Sequence, residues 1–68
     1  MTVRIWINGA SHELPEPVTV TEVLLALDAP ASGVAVAVDD ELVPKTDWAR
    51  HRLRAEARVE VLTAVQGG

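Results

Sequence analysis

The chain has 68 residues, room for a single domain, and a chain this small buries only about 60% of the surface its unfolded form exposes, so modest stability is expected. Hydrophobic residues make up 49% of it, too many for a disordered segment, and the net charge of −4 argues against nucleic acid as a partner, since phosphate binding needs clustered Lys and Arg. The absence of cysteine removes disulfides, thiolate catalysis and thiolate metal sites together.

Val3, Ile5 and Ile7 alternate with Arg4, Trp6 and Asn8, the period of two that marks a strand with one buried face. Asn8-Gly9 follows at once, and both residues tolerate the positive φ that a tight hairpin requires. A second strand is therefore expected from Ala10 to Leu14, ended by Pro15 and Pro17 because proline cannot donate to a ladder. Thr19 and Glu22 have the spacing of a capping box at the start of a helix. The helix is predicted over Val20 to Leu27, with Val20, Val23, Leu24 and Leu27 on one apolar stripe and Pro30 and Gly33 closing the segment.

Val34, Val36 and Val38, separated by Ala35 and Ala37, read as a buried strand. Asp39-Asp40 is expected to turn the chain into a short strand from Glu41 to Val43, stopped by Pro44. Lys45 to Arg52 reads as an irregular or single helical turn around Trp48. Val59, Val61 and Thr63 alternate with Glu60, Leu62 and Ala64, giving a last strand that leads into the terminal glycines. The order β-β-α-β-β-β implies an α+β domain with one helix across one face of a sheet, its first and last strands placed to pair in parallel.

No internal repeat or low-complexity tract is present, and the longest apolar stretch, Gly33 to Val38, is far short of a membrane span. The N-terminus has no basic start followed by an apolar core and a small-residue cleavage site, so a cytoplasmic location with no membrane partner is expected. Charge is uneven along the chain: residues 1–44 carry seven acids against Arg4, whereas residues 45–68 carry five basic residues against Asp47, Glu56 and Glu60. A basic stretch of this kind is usually a solvated face, and an acidic partner is the functional alternative.

Val65-Gln66-Gly67-Gly68 closes the chain. Glycine has no Cβ, so Gly67 and Gly68 fit a slot too narrow for other residues and can present the terminal carboxylate deep inside a partner's active site. An α-carboxyl, with a reference pKa of about 3.3–3.7, is ionised at neutral pH and is a usable nucleophile toward an activated phosphate. The plain alternative is a frayed end.

The Asn8-Gly9 hairpin, the Thr19 to Asp28 helix, the Val34-Ala35-Val36-Ala37-Val38 strand, Val43-Pro44 with Trp48 four residues on, and terminal Gly67-Gly68 occur together, in this order and at this length. In these features the chain resembles, over essentially its whole length, the small sulfur carrier proteins of thiamine biosynthesis, the ThiS family. The Val-Pro-then-Trp segment favours that branch over the related molybdopterin-type sulfur carriers. The resemblance implies a ubiquitin-like β-grasp fold, a mixed sheet of four to five strands covered by one helix. It places the domain at residues 1–64 and a flexible diglycine tail at residues 65–68.

The resemblance also implies a reaction cycle. The Gly68 carboxylate attacks the α-phosphate of ATP on an E1-like adenylating enzyme of the ThiF type. A sulfur donor such as a cysteine desulfurase supplies the sulfur that displaces AMP, and the resulting thiocarboxylate delivers it to a thiazole synthase of the ThiG type. In this cycle the chain is a carrier and not an enzyme. It has no catalytic residue, metal ligand or bound cofactor of its own, ATP being used by the activating enzyme, with Gln66 and Gly67 as the tail beside the Gly68 reaction site. The chain has no nucleophile–base pair and no phosphate-cradling glycine loop, in keeping with a carrier role. The chain departs from the family at Ala55-Glu56-Ala57, where a Gly-Asp turn often precedes the last strand.

Trp6 and Leu62 are expected to point away from the helix on neighbouring strands, forming an exposed apolar patch for partner docking next to the tail; simple edge packing is the alternative. His12 and His51 lack a second ligand at metal spacing, and Asp39-Asp40-Glu41 lacks the glycine and distal Glu of a calcium loop, so both read as surface or turn features. Trp48 reads as a packing residue. Two other functions use the same features: a ubiquitin-like protein modifier, forming an isopeptide bond from the same activated carboxylate, and a non-covalent binding module with incidental glycines.

Overall fold

The computed structural model describes residues 1–29 and 33–63. Pro30 as a helix-closing residue, Ala64 at the end of the last strand and the tail from Val65 to Gly68, with the domain boundary before it, lie outside the described residues.

Strand β1 (Thr2–Ile7) alternates between exposed and buried positions, with Val3, Ile5 and Ile7 inward as the period-two pattern requires. The chain then reverses at Asn8 (φ 50°) and Gly9 (φ 86°), both in the left-handed region that a primed hairpin turn needs. Strand β2 (Ala10–Pro15) pairs antiparallel with β1 along its whole length, one residue further than expected. Pro15 is accommodated because β2 is an edge strand: Glu16 N–H donates to Met1 C=O at 2.9 Å, so by alternation the Pro15 nitrogen faces outward, where no ladder bond is needed.

Helix α1 (Val20–Ala26) begins at Thr19, whose hydroxyl accepts from Glu22 N–H at 3.4 Å, the hydroxyl half of the capping box. Leu27 caps its C-terminus instead of lying within it. Asp28 N–H donates to Leu25 C=O at 3.1 Å and Ala29 N–H to Leu24 C=O at 3.0 Å, a Schellman closure with Asp28 at φ 55° in the place usually taken by glycine. The helix thus stops before Pro30, because a short acidic side chain tolerates the left-handed conformation.

Strands β3 (Val34–Val38) and β4 (Glu41–Val43) form a second hairpin through Asp39 and Asp40, at φ 50° and 71°. The acidic run is therefore a turn, and Asp39 Oδ1 accepts from Arg58 N–H at 3.0 Å. A 3₁₀ turn at Lys45–Asp47 follows, as expected around Trp48, and β5 (Arg58–Thr63) completes a five-stranded sheet in the order β2-β1-β5-β3-β4. β5 runs parallel to β1 and antiparallel to β3, so the last strand lies at the centre of the sheet.

Val20, Val23 and Leu24 of α1 join Ile5, Ile7, Val36 and Val59 of the sheet in one apolar core. The long connection before β5 is pinned at four places: Trp48 Nε1–H donates to the buried Val43 C=O at 3.0 Å, Thr21 N–H to Trp48 C=O at 3.3 Å, Leu53 N–H to Val18 C=O at 2.8 Å, and Glu56 N–H to Arg4 C=O at 2.6 Å. Among the described residues no charged or polar side chain is buried, and no helix is long and apolar enough to cross a membrane.

Candidate functional site

Helix α1 covers one face of the sheet and leaves the other open. Alternation places Arg4 and Trp6 of β1, Arg58, Glu60 and Leu62 of β5, Ala35 and Ala37 of β3, and Leu42 of β4 on the open face.

Both expected docking residues, Trp6 and Leu62, are on this face, but the register separates them. Trp6 lies opposite Arg58, and Leu62 is four residues further along β5, a distance of about 13 Å at the usual strand rise. Leu62 is instead the cross-strand partner of Ala35, while Ala37 sits between Glu60 and Leu42. Leu62 and Leu42 are 65% and 73% exposed, so with Ala35 and Ala37 they make an apolar surface over the β5-β3-β4 half of the face, interrupted on β5 by Glu60 and Arg58. Leu42, Ala35 and Ala37 were not anticipated in it, because the Val-Ala alternation of β3 reads as apolar on both faces and the pairing of β4 has no local signal.

The other half is polar and held together. Trp6 Nε1–H donates to Glu56 Oε1 at 2.8 Å, Arg4 Nε–H donates to Glu56 Oε2 at 3.1 Å, and the Arg4 guanidinium carbon lies 6.0 Å from the Trp6 ring centroid. The indole hydrogen bond, followed by that from Arg4, holds the Glu56 carboxyl below its ordinary pKa. At 36% exposure Trp6 is thus an oriented side chain and not a free one. The departure at Ala55-Glu56-Ala57 resolves in the same place. Ala57 N–H donates to Arg54 C=O at 3.2 Å to close the turn, and Glu56 takes φ 67°, a conformation suited to glycine, with its side chain tied to β1.

His12 lies opposite Ile5 in β2 and is half-buried, and the His51 N–H donates to Asp47 C=O at 2.8 Å. Among the described residues no cluster of three His, Asp or Glu side chains is placed to hold a metal ion. Gln66, Gly67 and Gly68 lie outside the described residues; what the structure defines is the strand that leads toward them, last described at Thr63 opposite Val34.

The ThiS family model matches residues 5–68, a span that takes in the Asn8-Gly9 turn, the helix, all of β5 and both terminal glycines. The chain belongs to the ThiS family. Among its curated relatives, the sulfur carrier protein ThiS of Escherichia coli (strain K12) is 27% identical over 66 residues, covering 97% of this chain and all of that protein. The ycf40 protein of Pyropia yezoensis is 33% identical over 66 residues, covering 97% of this chain and 93% of that one. The crystal structure of the thiamine biosynthesis protein ThiS from Geobacter metallireducens superimposes with a TM-score of 0.81 at 28% identity, covering 97% of this chain and 100% of that one. The solution structure of a thiamine biosynthesis protein from the same organism gives a TM-score of 0.78, also at 28% identity, with 97% and 88% covered. The ThiS-family sheet of this chain is therefore the ubiquitin-like β-grasp expected from its sequence, with five strands and one α-helix among the described residues.

Proposed function

We propose that this chain is a sulfur carrier of thiamine biosynthesis and that its reactive group is the terminal carboxylate of Gly68. The observation that carries this reading is the family match, which continues through Gly67 and Gly68 and includes a relative named as a sulfur carrier. In the proposed cycle a Gly68 carboxylate oxygen attacks the α-phosphate of ATP on an E1-like activating enzyme, forming an acyl-adenylate and releasing pyrophosphate. The terminal sulfur of a donor persulfide, such as that carried by a cysteine desulfurase, then attacks the acyl carbon and AMP leaves. A second thiol cleaves the resulting acyl disulfide, forming a disulfide with the donor sulfur and releasing the thiocarboxylate in which one oxygen is replaced by sulfur. The thiocarboxylate passes that sulfur to a thiazole synthase. The protein is a substrate of these steps, and ATP belongs to the activating enzyme.

Two physical arguments support the assignment. A carboxylate with a reference pKa of about 3.3–3.7 is ionised and nucleophilic at neutral pH, and two glycines let it enter a narrow channel. Docking falls to the open sheet face. Leu62, with Leu42, Ala35 and Ala37 beside it, offers apolar area near the start of the tail, and Trp6 offers an oriented aromatic edge further back. Binding through this face offsets the cost of ordering the tail, about 1–2 kcal/mol per fixed residue.

Intact mass spectrometry after incubation with ATP, an activating enzyme and a sulfur source tests the proposal. The full chain is expected to gain the mass difference of one sulfur for one oxygen, and a chain lacking Gly68 is expected to gain nothing. Conjugates on a gel in place of the sulfur adduct would indicate a protein modifier. Retained partner function without Gly68 would indicate a plain binding module.

A further inference from the structure

Parallel pairing between β1 and β5 ends after two residue pairs, Trp6 with Arg58 and Ile7 with Val59, because the chain turns away at Asn8-Gly9. β5 nevertheless continues to Thr63, so the backbone groups of Val61 on the β1 side extend past the end of their partner strand. Left alone in a half-buried place, such a donor and acceptor would be costly.

Asn8 supplies the missing partner. Its main-chain N–H donates to Val59 C=O at 2.9 Å, which is the last backbone bond of the ladder. Its side chain then takes over: Oδ1 accepts from Val61 N–H at 2.9 Å, and Nδ2–H donates to Val61 C=O at 3.3 Å. A carboxamide presents its acceptor oxygen and one donor N–H on the same edge, as the C=O and N–H of a single strand residue do, so one side chain extends the sheet by one more register step. On the other side of β5, Val61 is the partner of Val36 and Thr63 of Val34. The segment that precedes the tail is thereby fixed from both sides.

We propose that Asn8 is a positioning residue for the chemistry at Gly68: by clamping Val61, it gives the tail a rigid point of departure from the sheet. This rests on the sulfur-carrier reading, in which Gly68 must reach a reactive geometry while the folded domain is docked. A loosened β5 end spreads the tail over more directions, and small misplacements of a reacting group cost large factors in rate. The turn itself does not need the amide, since glycine adopts positive φ freely.

Two substitutions separate the clamp from the turn. Asn8→Gly keeps the backbone conformation and removes both side-chain bonds. Asn8→Asp keeps an acceptor for Val61 N–H but sets a carboxylate oxygen against Val61 C=O. A core variant with the clamp intact, Ile5→Val, serves as the control for lost stability. Each is assayed for sulfur gain by intact mass against carrier concentration, for Val61 amide exchange by NMR, and for melting temperature. Val61 exchange is expected to speed up in Asn8→Gly, which loses the acceptor for its N–H, and kcat/KM for the carrier is expected to fall about tenfold in both variants. Ile5→Val is expected to keep wild-type kinetics below its melting temperature. Asn8 variants that remain folded and react as well as Ile5→Val would overturn the positioning role while leaving the carrier reading intact. A wild-type chain that gains no sulfur would overturn the carrier reading and the positioning role with it.

Discussion

The Trp6 indole and the Glu56 carboxylate, 50 residues apart in the chain, meet in a hydrogen bond of 2.8 Å on the open face of the sheet. The bond orients the one aromatic side chain of that face and, with Arg4, ties the turn before β5 to β1. Because Glu56 also lends its main-chain N–H to Arg4 C=O, side chain and backbone act at the same point.

This pair makes a pH signature. Trp6 first and Arg4 second lower the Glu56 pKa in the folded chain, so folding favours its ionised form. The resulting contribution is present above the ordinary glutamate value of about 4.3 and is lost as pH falls through the lower folded pKa. The Trp6 indole N–H resonance is therefore expected to titrate below the ordinary glutamate range, and Glu56→Gln is expected to abolish the titration. A midpoint at or above that range would contradict the bond.

The φ of 67° at Glu56 predicts a ranking of melting temperatures. Glu56→Gly loses the side-chain bonds but relaxes the backbone, whereas Glu56→Ala loses the same bonds and keeps the left-handed conformation. Calorimetry is expected to show the alanine variant melting below the glycine variant. The reverse order would mean that this turn carries no left-handed strain.

Trp48→Phe removes the donor to the buried Val43 carbonyl while keeping most of the ring volume. An unsatisfied buried acceptor costs about 1–3 kcal/mol, a large share of a total that for small domains lies near the low end of about 5–15 kcal/mol. Urea unfolding is expected to show a lower midpoint with an unchanged slope.

Leu62→Ser and Leu42→Ser alter exposed positions and are expected to change stability by no more than about 0.5 kcal/mol. If the open face docks the activating enzyme, each should weaken that complex by about 1 kcal/mol or more in calorimetric titration, and Trp6→Ala should weaken it without unfolding the domain. Unchanged affinity in all three would remove this face from the docking site.

Much of the architecture is legible along the chain because it is written in local chemistry. Asn8-Gly9 and Asp39-Asp40 mark their hairpins through residues that tolerate positive φ, Thr19 marks the helix start, and period-two alternation sorts Ile5 from Trp6 and Val61 from Leu62. The terminal glycines are legible in the same way, and with the order of the elements they are enough to suggest the family. Contacts between distant segments have no such signature. A period of two tells which face a residue occupies but not which strand stands beside it, so Trp6 and Leu62 share a face yet have different neighbours. Glu56 looks like an anomaly in its turn until β1 is packed against it, and Asn8 looks like a turn residue until β5 runs past its amide. Strand register depends on the summed packing of the whole sheet, and for that reason these pairings emerge only once the chain is folded.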